Sequence, residues 1–501
     1  MTAPVLLHDL LDGAACAPER VAIVAGARSL SYGDLRARTA ALAARLAGAG
    51  VGPGDRVGIL LPKSIPECVA IFAIARAGAV FVPIHPSLRP GQVRHILSDC
   101  GAAALVTDEA LHAGCAEALA DLPLRVVRDP DAPAGTPAGA PERPRADGGT
   151  LAAILYTSGS TGLPKGVMLS HANLIAGTRI VRTYLRIGPE ERILSVLPFS
   201  FDYGLNQLLT CVEQGATCVL LTFRFGDEVV RALEEHRITG LAGVPTLWAL
   251  LTRAAPRLAR ADLSGLRYVT NSGGAVPVET VARLRAALPH TRIVLMYGLT
   301  EAFRSTYLPP DEIDARPGSI GRAIPETEIF ALNAAGARTR PGEPGILMHR
   351  GPTVSLGYWN RPEDTARVLV PDPFGRGGLV CRSGDLVVED EAGYFTFLGR
   401  EDAMIKTQGF RVSPTEVEAA LMETGAFRQV AVIGLPDPGL GERVHAVAVP
   451  GEAPLPEAEV LRAAREALAP HMVPRAVETV ERLPLTPNGK VDYKRLVAER
   501  R

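Results

Sequence analysis

Short apolar runs alternate with longer, helix-length segments through most of the chain. Continuous runs of Val, Ile and Leu are typical of parallel strands that are buried on both faces. The alternation therefore predicts an α/β architecture, in which helices cover parallel-rich sheets. Asp129–Gly149 is rich in Pro, Ala and Gly without apolar periodicity, and we expect an exposed connector there. The clearest runs are RVGILLP from Arg56, AALVT from Ala103, ILSVLP from Ile193 and CVLLT from Cys218.

The segment from Ile65 to Ile84 is the most membrane-like stretch. Arg76 and Gly78 interrupt it and prolines lie near both ends, so a buried helix over Pro66–Ala77, a turn and a buried strand explain it better than a bilayer span. The N-terminus has acidic residues early and no basic region before its apolar run, which makes a poor secretory signal. These features predict a soluble, cytoplasmic protein that does not bind a membrane.

Composition and charge narrow the class of protein. Apolar residues make up 47% and charged residues 21% of the 501 residues, which is ordinary for a globular protein. The formal net charge of -1 provides no broad cationic surface for a nucleic acid. The cysteines are dispersed, with no CxxC pair, so we expect reduced thiols. They are Cys16, Cys68, Cys100, Cys115, Cys211, Cys218 and Cys381.

The pattern changes in the last quarter of the chain. DLVVEDEAGYFTFLGRED, from Asp385, alternates apolar and polar residues on either side of a glycine-containing turn, which predicts a β-hairpin. About a hundred residues follow with their own strand and helix alternation, a plausible small domain. Ser413 and Glu416 have capping-box spacing at the start of one of its helices. We expect a large N-terminal domain over residues 1–400 and a small α+β domain over 401–501.

Residues 156–171 read YTSGSTGLPKGVMLSH and directly follow an apolar run. Glycines let a loop approach an anion closely, while hydroxyls, main-chain N–H groups and a lysine supply donors and charge. The composition predicts a polyphosphate cradle, although its spacing is not that of a Walker loop. A flexible Ser/Gly linker, the alternative, would not carry such a dense set of donors directly after a buried strand. The residues concerned are Thr157, Ser158, Gly159, Ser160, Thr161, Gly162 and Lys165.

Together with six further segments in the same order, this loop resembles the adenylate-forming superfamily, which includes acyl-CoA synthetases, adenylation domains of nonribosomal peptide synthetases and beetle luciferases. The likeness runs from about Asp55 to Leu496. It implies ATP and Mg²⁺ as cofactors, a carboxylic acid as substrate and a small C-terminal domain that moves. The segments are SGGAVP (Ser272–Pro277), YGLTE (Tyr297–Glu301), SGDL (Ser383–Leu386), GRED (Gly399–Asp402), IKTQGFRVSPTEVE (Ile405–Glu418) and PLTPNGKVDYKRL (Pro484–Leu496).

The resemblance implies catalytic roles for several positions. Lys490 matches the lysine that enters from the small domain and offsets charge as the acid attacks ATP; such a lysine would otherwise be a solvated surface charge. Glu301 matches the magnesium ligand, a hard carboxylate for a hard cation, and would otherwise be an exposed carboxylate where a helix starts. Thr300 and Lys165 would contact phosphates.

The same likeness implies where the nucleoside would bind. Tyr297 would stack on adenine, and the alternative is a plain core aromatic. Asp385 and Arg400 match ribose ligands, and would otherwise form a salt bridge across the domain junction. The residues that would surround the adenine are Gly273, Gly274, Ala275 and Tyr297, and Gly298 is a further predicted ATP-binding residue.

A conformational change is also implied. Asp402 matches the hinge about which similar enzymes rotate the small domain after adenylation, withdrawing the lysine and admitting a pantetheine thiol. Gly409 would line the thiol tunnel in the second state. Closure matters because an acyl-adenylate hydrolyses in water.

The acid pocket is less well specified by the sequence. The segment Leu197–Leu209 should form one of its walls. Asp202 matches the aspartate that pairs with the substrate amine in amino-acid-activating relatives, and the alternative is an N-cap for the following helix. Arg304 would pair with a second substrate carboxylate, or would neutralise Asp202 or Glu301. The predicted substrate-binding residues are Phe201, Asp202, Gly298 and Arg304.

We therefore expect adenylation of an amino acid, followed by its transfer to the phosphopantetheine of a carrier protein. No carrier domain follows Arg501, so the carrier is expected to be a separate chain. One alternative is an AMP-forming acyl-CoA synthetase that uses free CoA. Another, from a different class, is an inactive adenylate-binding regulatory protein, although such a protein would not need Lys490.

Overall fold

The computed structural model describes residues 4–128, 130, 146–157, 164–408, 410–451 and 454–500. Most of the predicted connector, the loop residues Ser158–Gly162 and Gly409 lie outside these ranges. The helices are α1 (Asp9–Asp12), α2 (Tyr32–Gly48), α3 (Ile65–Arg76), α4 (Pro90–Asp99), α5 (Glu109–Leu119), α6 (His171–Leu185), α7 (Asp202–Gln214), α8 (Gly226–Glu235), α9 (Pro245–Ala254), α10 (Val278–Ala287), α11 (Pro362–Val368), α12 (Pro414–Glu423), α13 (Glu457–Ala467) and α14 (Tyr493–Ala498).

The strands are short in the first half of the chain and longer towards its end. They are β1 (Val21–Ala25), β2 (Arg28–Ser31), β3 (Arg56–Leu60), β4 (Val80–Pro83), β5 (Ala104–Thr107), β6 (Arg125–Val127), β7 (Leu151–Thr157), β8 (Lys165–Ser170), β9 (Arg192–Ser195), β10 (Thr217–Leu220), β11 (Gly240–Gly243), β12 (Tyr268–Asn271), β13 (Arg292–Tyr297), β14 (Thr306–Leu308), β15 (Ser319–Ala323), β16 (Glu328–Leu332), β17 (Pro344–Arg350), β18 (Leu369–Pro371), β19 (Leu379–Glu389), β20 (Phe395–Arg400), β21 (Ile405–Thr407), β22 (Phe410–Val412), β23 (Phe427–Asp437), β24 (Gly441–Pro450) and β25 (Val477–Thr479).

Within the described residues these strands form three sheets. The first has the order β6-β5-β3-β4-β7-β8 and is parallel except at β8. The second has the order β16-β17-β19-β20-β15-β14-β13-β12-β11-β9-β10-β1-β2, with a parallel block from β13 to β1. The third, β22-β21-β24-β23 with β25, belongs to the C-terminal part of the chain. The predicted α/β class with a large sheet-rich N-terminal domain and a smaller C-terminal one is confirmed.

The apolar runs became strands because both of their faces are covered. Strands β5 and β10 are buried at every position. The segment Ile65–Ile84 forms α3, a turn and β4, as predicted, and α3 is buried almost all round within the largest apolar cluster, between the first two sheets. Across the described ranges, no helix combines the length and apolar character that crossing a membrane requires.

The hairpin predicted after Asp385 is present as β19 and β20, which pair in antiparallel register. The predicted capping box at the start of α12 is wrong. The Ser413 hydroxyl makes no cap hydrogen bond and instead donates to the carbonyl of Leu398. The domain boundary after Arg400 remains a prediction, and it falls in the short connection between β20 and β21.

Candidate active site

Three parallel strands, β11, β12 and β13, end at the same edge of the second sheet. The loops that follow β12 and β13 carry the SGGAVP and YGLTE segments. Ligands bind outside the carboxyl ends of strands in such sheets. The first loop is held in place by Asn271, which accepts a hydrogen bond from the indole of Trp248 (3.0 Å) and donates to the carbonyl of Gly274 (2.9 Å). Many of the predicted site residues therefore gather at this edge.

Lys490 reaches the edge from the C-terminal part of the chain. It follows a tight turn in which Gly489 has φ +76° and its N–H donates to the Thr486 carbonyl (2.9 Å). The Thr246 hydroxyl, at the start of α9, donates to the Gly489 carbonyl at 2.9 Å and anchors the turn. Lys490 Nζ lies 5.0 Å from the ring centroid of Phe201. The interpretation of Lys490 as a solvated surface charge is therefore wrong.

Glycine at position 273 makes room for this lysine. Gly273 has φ +87°, and a Cβ there would lie 2.8 Å from Lys490 Cε. Burial lowers the pKa of Lys490, and the carboxylate of Asp202 opposes that effect. The sequence predicted that Gly273 and Lys490 are both site residues, and the structure brings them into contact. Gly274 and Ala275 follow in the same loop.

Asp202 is the first residue of α7 and is only 6% exposed. The interpretation of Asp202 as an N-cap is wrong, because the cap position is Phe201, which makes no side-chain cap hydrogen bond. Burial raises the pKa of Asp202, while the charges of Arg304 and Lys490 lower it. Neither of those two cations forms a direct ion pair with its carboxylate in the described part of the chain. The carboxylate accepts a backbone hydrogen bond from Tyr203, which lowers its pKa, but a buried carboxylate without a direct cationic partner is still costly.

Arg304 is 2% exposed and follows Phe303, whose φ of 59° is uncommon for a residue other than glycine. Its guanidinium lies 4.1 Å from the ring centroid of Tyr203 and 4.8 Å from that of Phe303. Nη1 donates to the Ser272 hydroxyl at 3.4 Å, and Nε has no partner in the described part of the chain. The direct ion pair with Asp202 or Glu301 that the sequence allowed is not formed there. The rings of Tyr203 and Phe303 thus lie against the buried guanidinium, and its Nε–H remains available as a donor.

Glu301 lies in a turn after β13, together with Thr300, and the chain continues towards β14. The alternative of an exposed carboxylate at the start of a helix is therefore wrong. The hydroxyl of Tyr358 donates to Glu301 Oε1 at 2.6 Å. Burial raises the pKa of Tyr358, and the Glu301 carboxylate raises it further, so the tyrosine remains a donor.

Lys165 is the first residue of β8 and lies opposite Thr157, the last residue of β7. Its ammonium forms an ion pair with Asp364 of α11 at 2.7 Å and lies 5.7 Å from the ring centroid of Tyr358. The two ends of the predicted phosphate loop are thus described, although the loop between them is not. Lys165 and Glu301 thus both lie near Tyr358, but only Glu301 is hydrogen-bonded to it.

Asp385 and Arg400 are register partners on β19 and β20, and their side chains form an ion pair at 3.1 Å. Tyr297, at the end of β13, donates its hydroxyl to Asp385. Burial raises the pKa of Asp385, and Arg400 opposes it. Arg400 Nε also contacts Asp402 at 2.9 Å. The salt bridge considered from the sequence is present, and Tyr297 is part of a polar cluster, not a plain core aromatic.

A mainly apolar cavity adjoins this region between α6 and α7. Asp202 and Asn206 are among the residues that line it. The other residues around it are Leu169, Asn173, Leu174, Gly177, Leu205, Leu209, Phe303 and Thr353. Phe201 is the residue before α7, next to Asp202 in the chain. The cavity has a volume of only about 10 Å³, room for roughly one water molecule, so the acid pocket along Leu197–Leu209 remains a prediction.

The sequence did not identify Tyr358, Asp364 or Thr246. Each of them contacts a site residue that is distant along the chain, and the local sequence around it does not indicate that contact. Glu301 is the metal-ligand candidate from the sequence, and the described residues contain no group of three or more His, Cys, Asp or Glu side chains that could hold a metal ion.

Comparison with known proteins agrees with this geometry. Residues 11–359 match the AMP-binding enzyme family, and residues 416–490 match the AMP-binding enzyme C-terminal domain. The chain is 36% identical to a feruloyl-CoA synthase from Amycolatopsis over 95% of this chain and 94% of that protein. It is 34% identical to an L-proline–[L-prolyl-carrier protein] ligase from Streptomyces coelicolor, covering 94% and 92% respectively. A linear gramicidin synthase from Brevibacillus parabrevis is 35% identical over 96% of this chain, which spans 6% of that longer protein.

Solved structures show the same likeness over the whole chain. The ATP-bound structure of MatB from Rhodopseudomonas palustris has a TM-score of 0.89 and 30% identity, covering 98% of both chains. The apo structure of the same MatB, with the same coverage, has a TM-score of 0.78. The present fold is thus nearer to the ATP-bound arrangement, in agreement with the position of Lys490 inside the site. The chain belongs to the AMP-binding enzyme family and is an adenylate-forming, AMP-forming ligase.

Proposed function

We propose that this ligase uses ATP and Mg²⁺ to adenylate an amino acid, and then transfers the aminoacyl group to the phosphopantetheine thiol of a separate carrier protein. The observation that carries the proposal is Asp202. It is a buried carboxylate beside the small apolar cavity between α6 and α7, and it has no direct cationic partner within the part of the chain described.

A substrate ammonium group would supply that partner. Hydrogen bonds between charged groups are about twice as strong as neutral ones, and pairing would offset the cost of burying Asp202. A fatty acid would leave the carboxylate unpaired. Asp202 directly follows Phe201, whose ring lies beside Lys490. The Asp202 carboxylate, which would bind the amine, and the Lys490 ammonium, which would meet the carboxylate, are thus close together. This spacing suits a small amino acid.

In the first step, a carboxylate oxygen attacks the α-phosphorus of ATP and pyrophosphate leaves. The Lys490 ammonium would offset the negative charge that develops, and its partial burial strengthens that interaction. Thr300, Lys165 and the loop from Thr157 to Gly162 would hold the phosphates. Tyr297, Gly298 and the loop from Gly273 to Ala275 would bind adenine, and Asp385 and Arg400 the ribose.

Glu301 has the properties of a magnesium ligand. One carboxylate oxygen is held by Tyr358, and the other has no hydrogen-bond partner among the described side chains. Mg²⁺ usually keeps several waters and takes one or two carboxylates together with substrate phosphates. When bound, the cation would offset charge on the phosphate oxygens.

Arg304 would define the substrate further. Its guanidinium lies near the rings of both Tyr203 and Phe303, and Nε lacks a partner in the described structure. An oxygen acceptor on the amino-acid side chain, such as a second carboxylate, would satisfy it. Replacing Arg304 with Met should then weaken selection for such substrates more than it weakens ATP binding.

The thiol acceptor has one serious alternative. The prolyl-carrier protein ligase supports a carrier protein, whereas the feruloyl-CoA synthase supports free CoA. In either case Asp402 would be the hinge and Gly409 would line the thiol tunnel. Rotation at Asp402 would first have to break its contact with Arg400.

The test combines substrate loading with one variant. Wild-type enzyme, ATP and candidate amino acids are incubated with either phosphopantetheinylated carrier proteins or CoA, and thioesters are detected by mass spectrometry. Loss of a charged hydrogen bond costs about 1.5–3 kcal/mol, so Asp202→Asn should raise the amino-acid KM roughly 10- to 150-fold, with little change in the KM for ATP. If only acids without an amine are activated, the proposal fails. If CoA is the only acceptor, the carrier-protein step is replaced by CoA ligation.

A further inference from the structure

A short segment connects strand β8, which follows the predicted phosphate loop, to the turn that carries Glu301. Residues 355–359 pair with β8, which begins at Lys165, and also contact the backbone of Glu301. The segment therefore adds a short strand-like edge between two parts of the site that are far apart in sequence. The hydrogen bonds are Ser355 N to Glu301 O (2.8 Å), Leu356 N to Met168 O (2.9 Å), Met168 N to Gly357 O (2.8 Å) and Trp359 N to Gly166 O (2.8 Å).

The side chain of Tyr358 also lies between the two parts of the site, near the Glu301 carboxylate and the Lys165 ammonium group. Its hydroxyl donates to Glu301 Oε1 at 2.6 Å, and its ring lies 5.7 Å from Lys165 Nζ. Its own backbone N–H donates to the Thr365 hydroxyl at 2.9 Å, which fixes the residue from the other side. Tyr358 is thus held between the carboxylate and the ammonium group.

We propose that Tyr358 is a positioning residue that orients the Glu301 carboxylate for a divalent cation. The proposal rests on the proposed function, because Glu301 needs orienting for a cation only if MgATP binds. One carboxylate oxygen is engaged by the tyrosine, so the other is left in a defined direction. Fixing a long side chain in advance reduces the rotamer entropy that is lost when the ligand binds.

A purely structural role for the Tyr358 hydroxyl would lead to a different result. If the hydrogen bond served only to satisfy a half-buried carboxylate, its removal would lower stability and leave metal dependence unchanged. If Tyr358 positions Glu301, removing its hydroxyl should raise the Mg²⁺ concentration that is needed for nucleotide binding. Binding measurements separate the two without relying on catalytic turnover.

The experiment uses the full-length Tyr358→Phe variant, which keeps the ring and removes the donor. ATP binding is measured by calorimetry at a series of Mg²⁺ concentrations and again with EDTA. We expect the Mg²⁺ concentration for half-maximal tightening to rise roughly 3- to 10-fold, the effect of losing one hydrogen bond of ordinary strength, because the tyrosine acts on the cation only through Glu301. Binding without Mg²⁺ should be unchanged. A Tyr358→Met variant, expected to show the same shift, serves if the first variant does not fold.

Two controls sharpen the result. In a Glu301→Gln background, Tyr358→Phe should have no further effect on the Mg²⁺ dependence, because a double-mutant cycle exposes residues that act through each other. Tyr32→Phe removes another buried hydroxyl, which donates to the Cys211 and Ala216 carbonyls in the core. It should lower the melting temperature with a wild-type Mg²⁺ response.

The outcomes separate the two proposals. If the wild-type enzyme does not bind MgATP, the proposed function itself fails. If it binds MgATP, and Tyr358→Phe has the wild-type Mg²⁺ dependence, the positioning role is overturned. The role is also overturned if the effect of Tyr358→Phe is equally large in the Glu301→Gln background, since the tyrosine would then act independently of that carboxylate.

Discussion

Replacing Gly273 with alanine tests whether the space for Lys490 is essential for adenylation. The added Cβ would lie 2.8 Å from Lys490 Cε and 3.6 Å from Phe201 Cζ. Carbon atoms prefer a separation of about 3.5–4.0 Å, so the lysine must retreat by roughly 0.7–1.2 Å. A displacement of about 1 Å at a reacting centre can cost on the order of 100-fold in rate.

The backbone contributes separately, because Gly273 has φ +87°. An alanine in the left-handed region costs about 1–2 kcal/mol in stability. Gly336 is a matched control, since it has φ +77° and a Cβ there would meet nothing within 4 Å. Gly336→Ala should therefore show the same backbone strain with no effect on the active site.

The assay is ATP–pyrophosphate exchange at saturating ATP and amino acid. Gly273→Ala should lower the maximal exchange rate by roughly 10- to 100-fold, whereas Gly336→Ala should keep the wild-type rate. Thermal denaturation of both variants checks that the comparison is made on folded protein. If the two variants exchange at rates within about twofold of each other, a difference of only about 0.4 kcal/mol, the role assigned to this contact is refuted.

Three other perturbations follow from the contacts described above. Asp364→Asn should lower the KM for ATP about two- to fivefold, because the triphosphate would no longer compete for Lys165, which pairs with Asp364 at 2.7 Å; a higher KM would contradict this. Burial raises the pKa of Glu67 to about 8, with Lys63 opposing. The contribution of Glu67 to stability is thus complete below pH 4.5 and is lost as the pH rises through 8. Glu67→Gln should therefore flatten the dependence of melting temperature on pH between about 5 and 8. Parallel curves for the wild type and the variant would refute this. Burial lowers the pKa of Lys490 below 10.5, so the exchange rate should fall on the alkaline side below that pH, and Lys490→Arg should move the fall upward.

The sequence was sufficient wherever a local pattern decides the structure. Strands such as β10 are buried on both faces, so continuous apolar runs identified them. The loop containing Gly273 and the turn before Lys490 were identified from short motifs, although only the fold shows that these residues touch. The ATP-site assignment needed the resemblance as well as the residues, because glycines and hydroxyls alone do not specify a nucleotide.

Tertiary partners explain what the sequence could not supply. The position of Asp202 differs from an N-cap by a single residue, and helix starts are uncertain by one or two residues from sequence. Ser413 has capping-box spacing, but it bonds to Leu398 in the preceding hairpin. Tyr358 and Asp364 meet Glu301 and Lys165 only because separate loops are brought together by the two sheets.

The most direct measurement is pyrophosphate exchange with pairs of acids that differ only in the amine. Each amino acid is compared with its deamino analogue, using wild-type enzyme and Asp202→Asn. We predict that at least one amino acid drives label into ATP far faster than its analogue, and that the preference collapses in the variant. Exchange that is equal for both members of every pair, or absent with all acids, would contradict the account.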